Sequence, residues 1–161
     1  RPPVPGAGRA RLESCVMTPS DCLFCKIAAG TVPAVRIFET DRVLAFLDIG
    51  PLIKGHTLVI PKAHYDPLMD TPNEVLADVM AVVRTVARAQ VAGLKADGVN
   101  ITQANGACAG QVIPHLHVHV IPRFAGDGHH WNWNAGRYDG PDEMTALAER
   151  IRAGLPKDGA A

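Results

Sequence analysis

The sequence predicts an α+β domain built on an antiparallel sheet, and three observations carry that expectation. About five short apolar runs lie between turn signals, two stretches place apolar residues at helical spacing, and the first two runs are joined tightly enough to form a hairpin. One domain is the natural expectation for 161 residues. With 47% hydrophobic and 20% charged residues, the composition is that of a globular chain.

Residues 1–20 are rich in Pro, Gly and Arg and show no apolar period, so they read as a flexible lead-in, with Met17 a candidate natural start and the domain running from Asp21 to Ala161. From Val35, VRIFETDRVLAFLD alternates on either side of Glu39, Thr40 and Asp41, giving two strands and a short turn. HTLVIP is a buried strand that Pro61 ends. Thr71-Pro72-Asn73-Glu74 reads as a capping box with proline at the first helical position. A long helix follows, carrying Leu76, Val79, Met80, Val83, Val86, Val91 and Leu94. Residues 98–104 and 116–121 read as strands flanking a glycine-containing loop. Pro141 opens a second helix with Met144, Leu147 and Ile151, which Gly154 and Pro156 stop.

Sixteen Lys and Arg balance sixteen Asp and Glu. No global field draws the chain to nucleic acid or anionic membrane, so any phosphate must be held locally. No window reaches the roughly 18 apolar residues of a membrane span, and no signal-peptide order is visible. The expectation is a soluble, cytoplasmic protein with neither nucleic-acid nor membrane partner. Of Cys15, Cys22, Cys25 and Cys108, the middle two form a Cys-x-x-Cys pair, more typical of metal or redox chemistry than of a disulfide framework. Cys15 and Cys108 read as free thiols.

The decisive segment is His115-Leu116-His117-Val118-His119-Val120, whose alternation places three imidazoles on one face of a strand. Neighbours two apart lie about 6.7 Å from each other along a strand, close enough to share a phosphate or a metal. A neutral imidazole is a good nucleophile near neutral pH, and attack on an α-phosphorus would divide one difficult displacement into two easier ones. One histidine would be that nucleophile. Cys22 and Cys25 have the spacing of a zinc knuckle, and His64 and His115 offer nitrogen ligands. His129 and His130 sit in a loop beside Trp131 and Trp133, where the plain reading is a solvated segment with the tryptophans at an active-site rim or a dimer contact.

Here the sequence resembles the histidine triad (HIT) family of nucleotide hydrolases and transferases, whose signature is His-φ-His-φ-His-φ-φ with φ apolar. His115 to Ile121 matches it throughout, and DCLFCKI, PAVRIFETDRVLAFLDI, KGHTLVIPKAH, the AGQ loop and PRFAGDG extend the likeness over nearly all of the chain beyond the lead-in. Among the branches it is most similar to the small zinc-bearing bacterial proteins.

The resemblance implies a five-stranded antiparallel sheet with two helices, paired into a ten-stranded sheet in a homodimer. It implies that His117 is the nucleophile of a covalent nucleotidyl intermediate, with His119 and His56 at the phosphate or leaving group. It places Phe24, Ile27, Val32, Leu47 and Ile49 around a purine base and Asp48 on the ribose hydroxyls, with Asn105, Gly110 and Gln111 of the loop region at the phosphate. It also implies a structural zinc on Cys22, Cys25, His64 and His115. Two positions depart from the family pattern: Val112 stands where Ser or Thr usually follows the Gly-Gln pair, and Ala104 where Asn or Gln is common, between Gln103 and Asn105. The implied substrate is a nucleoside monophosphate joined through its α-phosphate to a leaving group, as in an adenosine 5′-phosphoramidate or a dinucleoside polyphosphate. The rival readings are a nucleotide-binding sensor with little turnover and a zinc hydrolase whose metal is shared by His115, His117 and His119.

Overall fold

The computed structural model describes residues 20–130, 137–153 and 155. They fall into two compact units, divided between Asp127 and Gly128. In the first, β1 (Arg36–Glu39), β2 (Val43–Leu47), β3 (Thr57–Pro61), β4 (Gly98–Thr102) and β5 (Val118–Arg123) form one sheet in the order β1-β2-β3-β5-β4. Every neighbouring pair is antiparallel. Helices α1 (Leu23–Ala28) and α2 (Asn73–Leu94) belong to this unit, and α3 (Pro141–Ala153) belongs to the second.

Strand alternation divides the sheet into two chemically different faces. Val43 and Ala45 of β2, Val59 of β3, and Val118 and Val120 of β5 pack against Val75, Val79, Val82, Val83 and Val86 of α2. Each fully buried valine is worth roughly 1.5–3 kcal/mol relative to exposure, so this all-aliphatic layer anchors the helix. On the other face Leu44, Phe46, Leu58 and Ile60 pack with Cys22, Phe24 and Ile27 of the α1 region. Register places Phe46 opposite Leu58 and Leu58 opposite His119, so a row of side chains crosses three strands on this second face. Chemistry is confined to one side of the sheet.

The five antiparallel strands and the long helix match the sequence expectation, while several details differ. The sequence gives no period for α1, which has six residues and too few turns to stand alone. It is held by Phe24 and Ile27 beneath it and by Arg36, which donates to the carbonyls of Ile27 and Ala28 at its C-terminal end. The capping box does not form. Pro72 is the N-cap residue, its carbonyl accepting from Val75 and Leu76, and the Thr71 hydroxyl donates instead to Pro67 O at 3.0 Å. Met80, Val91 and Leu94, expected on the inner stripe of α2, are exposed, and Val75, Val82 and Gln90 take those places. The triad does not lie on one strand: β5 begins at Val118, so His115, at a bend, and His117 belong to the segment leading into it. Met144 and Ile151 of α3 are exposed.

Of the expected lead-in only Ser20 is described; Cys15, Met17, Trp131, Trp133, Gly154 and Pro156 lie outside the described residues. No helix among the described residues is long and apolar enough to cross a membrane.

Candidate active site

Four of the singled-out residues converge at the start of α1. Cys22 is its N-cap and Cys25 lies in its first turn, while His64 follows β3 and His115 precedes β5. Cys22 Sγ lies 3.4 Å and Cys25 Sγ 3.5 Å from His115 Nδ1, and Cys25 Sγ lies 3.4 Å from His64 Nδ1. The four ligating atoms all fall within 4.8 Å of one another. His115 is fully buried, and its Nε2 lies 2.9 Å from Pro61 O. A carbonyl can only accept, so the ring proton sits on Nε2 and the Nδ1 lone pair faces both sulfurs. Burial pushes the His115 pKa down to about 4, which keeps the ring neutral. The Cys25 thiol is pushed up to about 11, by burial first and then by Cys22, so it resists ionising unless a cation takes up the charge. Two thiols and two inward-facing imidazole nitrogens form a donor set suited to a soft, tetrahedral divalent ion.

The next two histidines serve a different environment. His117 Nδ1 lies 2.6 Å from His115 O, so it donates its proton there and leaves the Nε2 lone pair available. The edge of Phe24 packs against both rings, with centroids 5.2 Å from His117 and 5.9 Å from His115, and so stands between the two environments. His119, with its ring centroid 5.0 Å from that of His117, contacts His56 Nε2 through Nδ1 at 2.9 Å. The Leu52 N–H donates to His56 Nδ1 at 3.3 Å, which assigns the proton of neutral His56 to Nε2 and its hydrogen bond to His119 Nδ1. Neutral His119 then carries its own proton on Nε2. Burial holds the His56 pKa below the usual imidazole value against the opposing pull of Asp48. Burial, then His117 and His56, bring His119 down to about 4. Both rings are neutral near pH 7.

Asp48, His56 and His119 also bring ligating atoms within 4.8 Å of one another. Asp48 Oδ2 stands 3.5 Å from Nδ1 of His56, whereas His119 meets Nε2 on the opposite side of the ring. That geometry suits a chain of proton donors and acceptors better than a cage around an ion.

A pocket of about 800 Å³ opens beside these rings. Its lining brings together Phe24, Ile27, Val32, Leu47, Asp48, Ile49, Gly110, His117 and His119 from the sequence-derived set. Asp48 Oδ1 accepts the Gly50 N–H at 2.8 Å. Gly110 adopts φ +90°, a conformation that glycine takes without strain. Among the described residues no lysine or arginine lines the pocket, and the groups there that could meet a phosphate include the imidazoles of His117 and His119.

Three singled-out residues lie outside this lining. His56 is 2% exposed and stands behind His119. The Asn105 amide accepts from Leu68 N and donates to Gln103 Oε1, and Gln111 accepts from Gly106 N and donates to Asp66 Oδ1, so both side chains order the loop. Val112 is 85% exposed within the pocket, where it presents methyl groups and no hydroxyl. Phe46 and Leu58 also line the pocket but were not singled out. Their signal is the period of two: Phe46 shares a strand face with Asp48 and stands opposite Leu58. Neither His129 nor His130 joins a metal-capable cluster among the described residues.

The HIT domain family model matches residues 29–126. Adenosine 5′-monophosphoramidase hnt1 of Schizosaccharomyces pombe is 39% identical over 131 residues, covering 81% of this chain and 95% of that protein. Among solved structures, a HIT family member from Bacillus subtilis superposes with a TM-score of 0.78 at 37% identity, over 84% of this chain and 98% of that one. A zinc-bound histidine triad family protein from Mycobacterium smegmatis gives a TM-score of 0.68 at 40% identity, over 86% of this chain and all (100%) of that one. The chain belongs to the HIT domain family and is a hydrolase of that family.

Proposed function

We propose that the chain cleaves the bond joining the α-phosphate of a purine nucleoside monophosphate to its leaving group, in two displacements at His117. The observation that carries this reading is the opposed proton placement on neighbouring rings. His117 donates Nδ1–H to a carbonyl and keeps a free Nε2, while the relay from Leu52 through His56 leaves a proton on His119 Nε2. In the first displacement His117 Nε2 attacks phosphorus, the bond from phosphorus to the leaving group breaks, and the departing atom takes a proton from solvent while the His119 Nε2–H donates a hydrogen bond to it. In the second, water attacks the nucleotidyl-His117 phosphorus and gives its proton to solvent, and the phosphorus–nitrogen bond breaks to release the monophosphate. Asp48 would accept hydrogen bonds from the ribose hydroxyls, and the apolar lining would hold the base.

The name of the fission-yeast relative favours an adenosine 5′-phosphoramidate over a dinucleoside polyphosphate. The three-histidine metal reading is disfavoured because His115 faces the thiols and His117 Nδ1 faces a carbonyl. Zinc, held by Cys22, Cys25, His64 and His115, would supply a closed structural crosslink and no activated water. We also propose a homodimer that joins two five-stranded sheets; β1 and β4 are the edge strands of each.

The test is to mix the protein with adenosine 5′-phosphoramidate, quench during turnover and map the adduct by peptide mass spectrometry. An adenylyl group on the peptide containing His117 is expected. Turnover with no adduct on that residue overturns the nucleophile assignment, and binding without turnover favours the sensor reading that Val112 raises.

A further inference from the structure

The His56–His119 contact is bracketed by hydrogen bonds from a residue on the opposite face of the sheet. β3 and β5 pair from Thr57 opposite Val120 to Val59 opposite Val118, so His119 lies within this ladder while His56 stands one residue beyond its end. The His56 backbone is held from the β2 side, where the Asp48 N–H donates to its carbonyl at 3.0 Å, and a second tie on the β5 side lies beside the point where the two rings meet at 2.9 Å. Gln90, near the C-terminal end of α2 and only 5% exposed, makes that connection. Its Nε2 donates to Gly55 O at 3.0 Å and to Val120 O at 3.0 Å, with Thr57 Oγ1 at 3.3 Å. These two carbonyls belong to the residue before His56 and the residue after His119.

Two further observations point the same way. Gln90 continues a buried stripe otherwise made of Val75, Val79, Val82, Val83 and Val86, and its Oε1 is buried with no hydrogen-bond partner among the described residues. An aliphatic side chain would avoid that standing penalty, so the amide is tolerated for what its nitrogen holds. Gly55 has φ +99°, and a Cβ there would come within 2.6 Å of Leu94 Cδ1 and 3.1 Å of Pro122 Cγ. The backbone before His56 is thus pressed between α2 and β5, a fit open to glycine alone.

We infer that Gln90 is a positioning residue: by clamping the backbone beside His56 to that beside His119, it sets the distance across which their proton is shared. The inference rests on the proposed role of His119 as hydrogen-bond donor to the leaving group, and its test has an arm independent of turnover.

The experiment uses the full chain carrying Gln90→Met, which keeps the volume and removes the donors. Turnover of adenosine 5′-phosphoramidate, AMP affinity, and the ring ¹⁵N–¹H signals of His56 and His119 are compared with wild type. We expect kcat to fall about tenfold through loosened alignment, KM and AMP affinity to stay within about twofold, and the hydrogen-bonded His56 Nε2–H signal to broaden or vanish. A folded variant with unchanged kcat and an unchanged His56 signal overturns the inference, as does a change confined to KM. If the wild type turns over no phosphoramidate, the proposed function fails and the His56 signal alone decides the clamp. Should Gln90→Met not fold, Gln90→Glu is measured across pH. Its carboxyl keeps one donor while protonated and none once ionised, so activity and the His56 signal should fall with rising pH relative to wild type. A profile parallel to wild type contradicts the clamp.

Discussion

His115 and His119 come from one alternating segment, yet they occupy opposite situations. His115 is fully buried, with one ring nitrogen on Pro61 O and the other facing two thiols. His119 is half-buried, lines an open pocket and shares its inner nitrogen with His56. Residue type and spacing therefore do not set a histidine's role; the partner of its second nitrogen does. Between them, His117 takes its orientation from the backbone of His115 and turns to the pocket. On this account damage to the first environment lowers stability, and damage to the second lowers turnover.

The largest expected effect separates the two directly. His117→Ala should reduce hydrolysis of an adenosine 5′-phosphoramidate by about a thousandfold or more, as for other catalytic nucleophiles, while the melting temperature stays close to wild type. A variant with wild-type turnover would remove His117 from the chemistry. Conversely, Cys22→Ser or chelation should leave the pocket residues in place and cost stability, on the order of 4 kcal/mol if metal is present at a thousand times its dissociation constant. Calorimetry with and without added zinc checks this, and coincident melting curves would dissolve the contrast.

A smaller effect probes the ribose end of the pocket. Asp48→Ala should weaken binding of AMP about tenfold or more, the worth of hydrogen bonds to a charged acceptor, and weaken a 2′,3′-dideoxy analogue far less. Titration calorimetry with the two ligands decides it, since equal losses would show that Asp48 serves only Gly50 and His56. The smallest effect is one of pH. His119 is lowered from 6.5 to about 4 in the folded chain, so between those values the unfolded state binds a proton that the folded state refuses. Stability should fall as pH drops through this window and gain nothing from this group above it. Chemical denaturation at several pH values should show a shallower slope for His119→Gln.

The parts legible in the sequence are those where the pattern repeats. The hairpin of β1 and β2, the apolar run of β3 and the length of α2 follow from period and punctuation, and the alternation around His117 and His119 places them on the face of Phe46 and Leu58. α1 escaped because it buries only Phe24 and Ile27, too few for a period. Thr71 misled because a short 3-10 turn over Leu68–Asp70 brings Pro67 O within reach of its hydroxyl. Periodicity gives α2 its length and the inner positions Val79, Val83 and Val86, but tertiary packing turns Val82 and Gln90 inward and leaves Met80, Val91 and Leu94 exposed. Gln90 carries no sequence signal, being one polar residue on an apolar stripe. The loop amides of Asn105 and Gln111 look like ligand contacts in sequence because only the fold reveals that Leu68, Gly106 and Asp66 already engage them.

The most direct test of the division between the two environments is single-turnover labelling of the chelated protein, kept folded at low temperature, with an adenosine 5′-phosphoramidate bearing a radioactive phosphorus. The account predicts label on His117 at close to the extent seen in zinc-supplemented protein, because the ring that attacks takes its orientation from a carbonyl and its neighbour His119 is held by His56, not by the metal ligands. Label that rises in strict proportion to bound metal, in protein shown to be folded throughout, would contradict it.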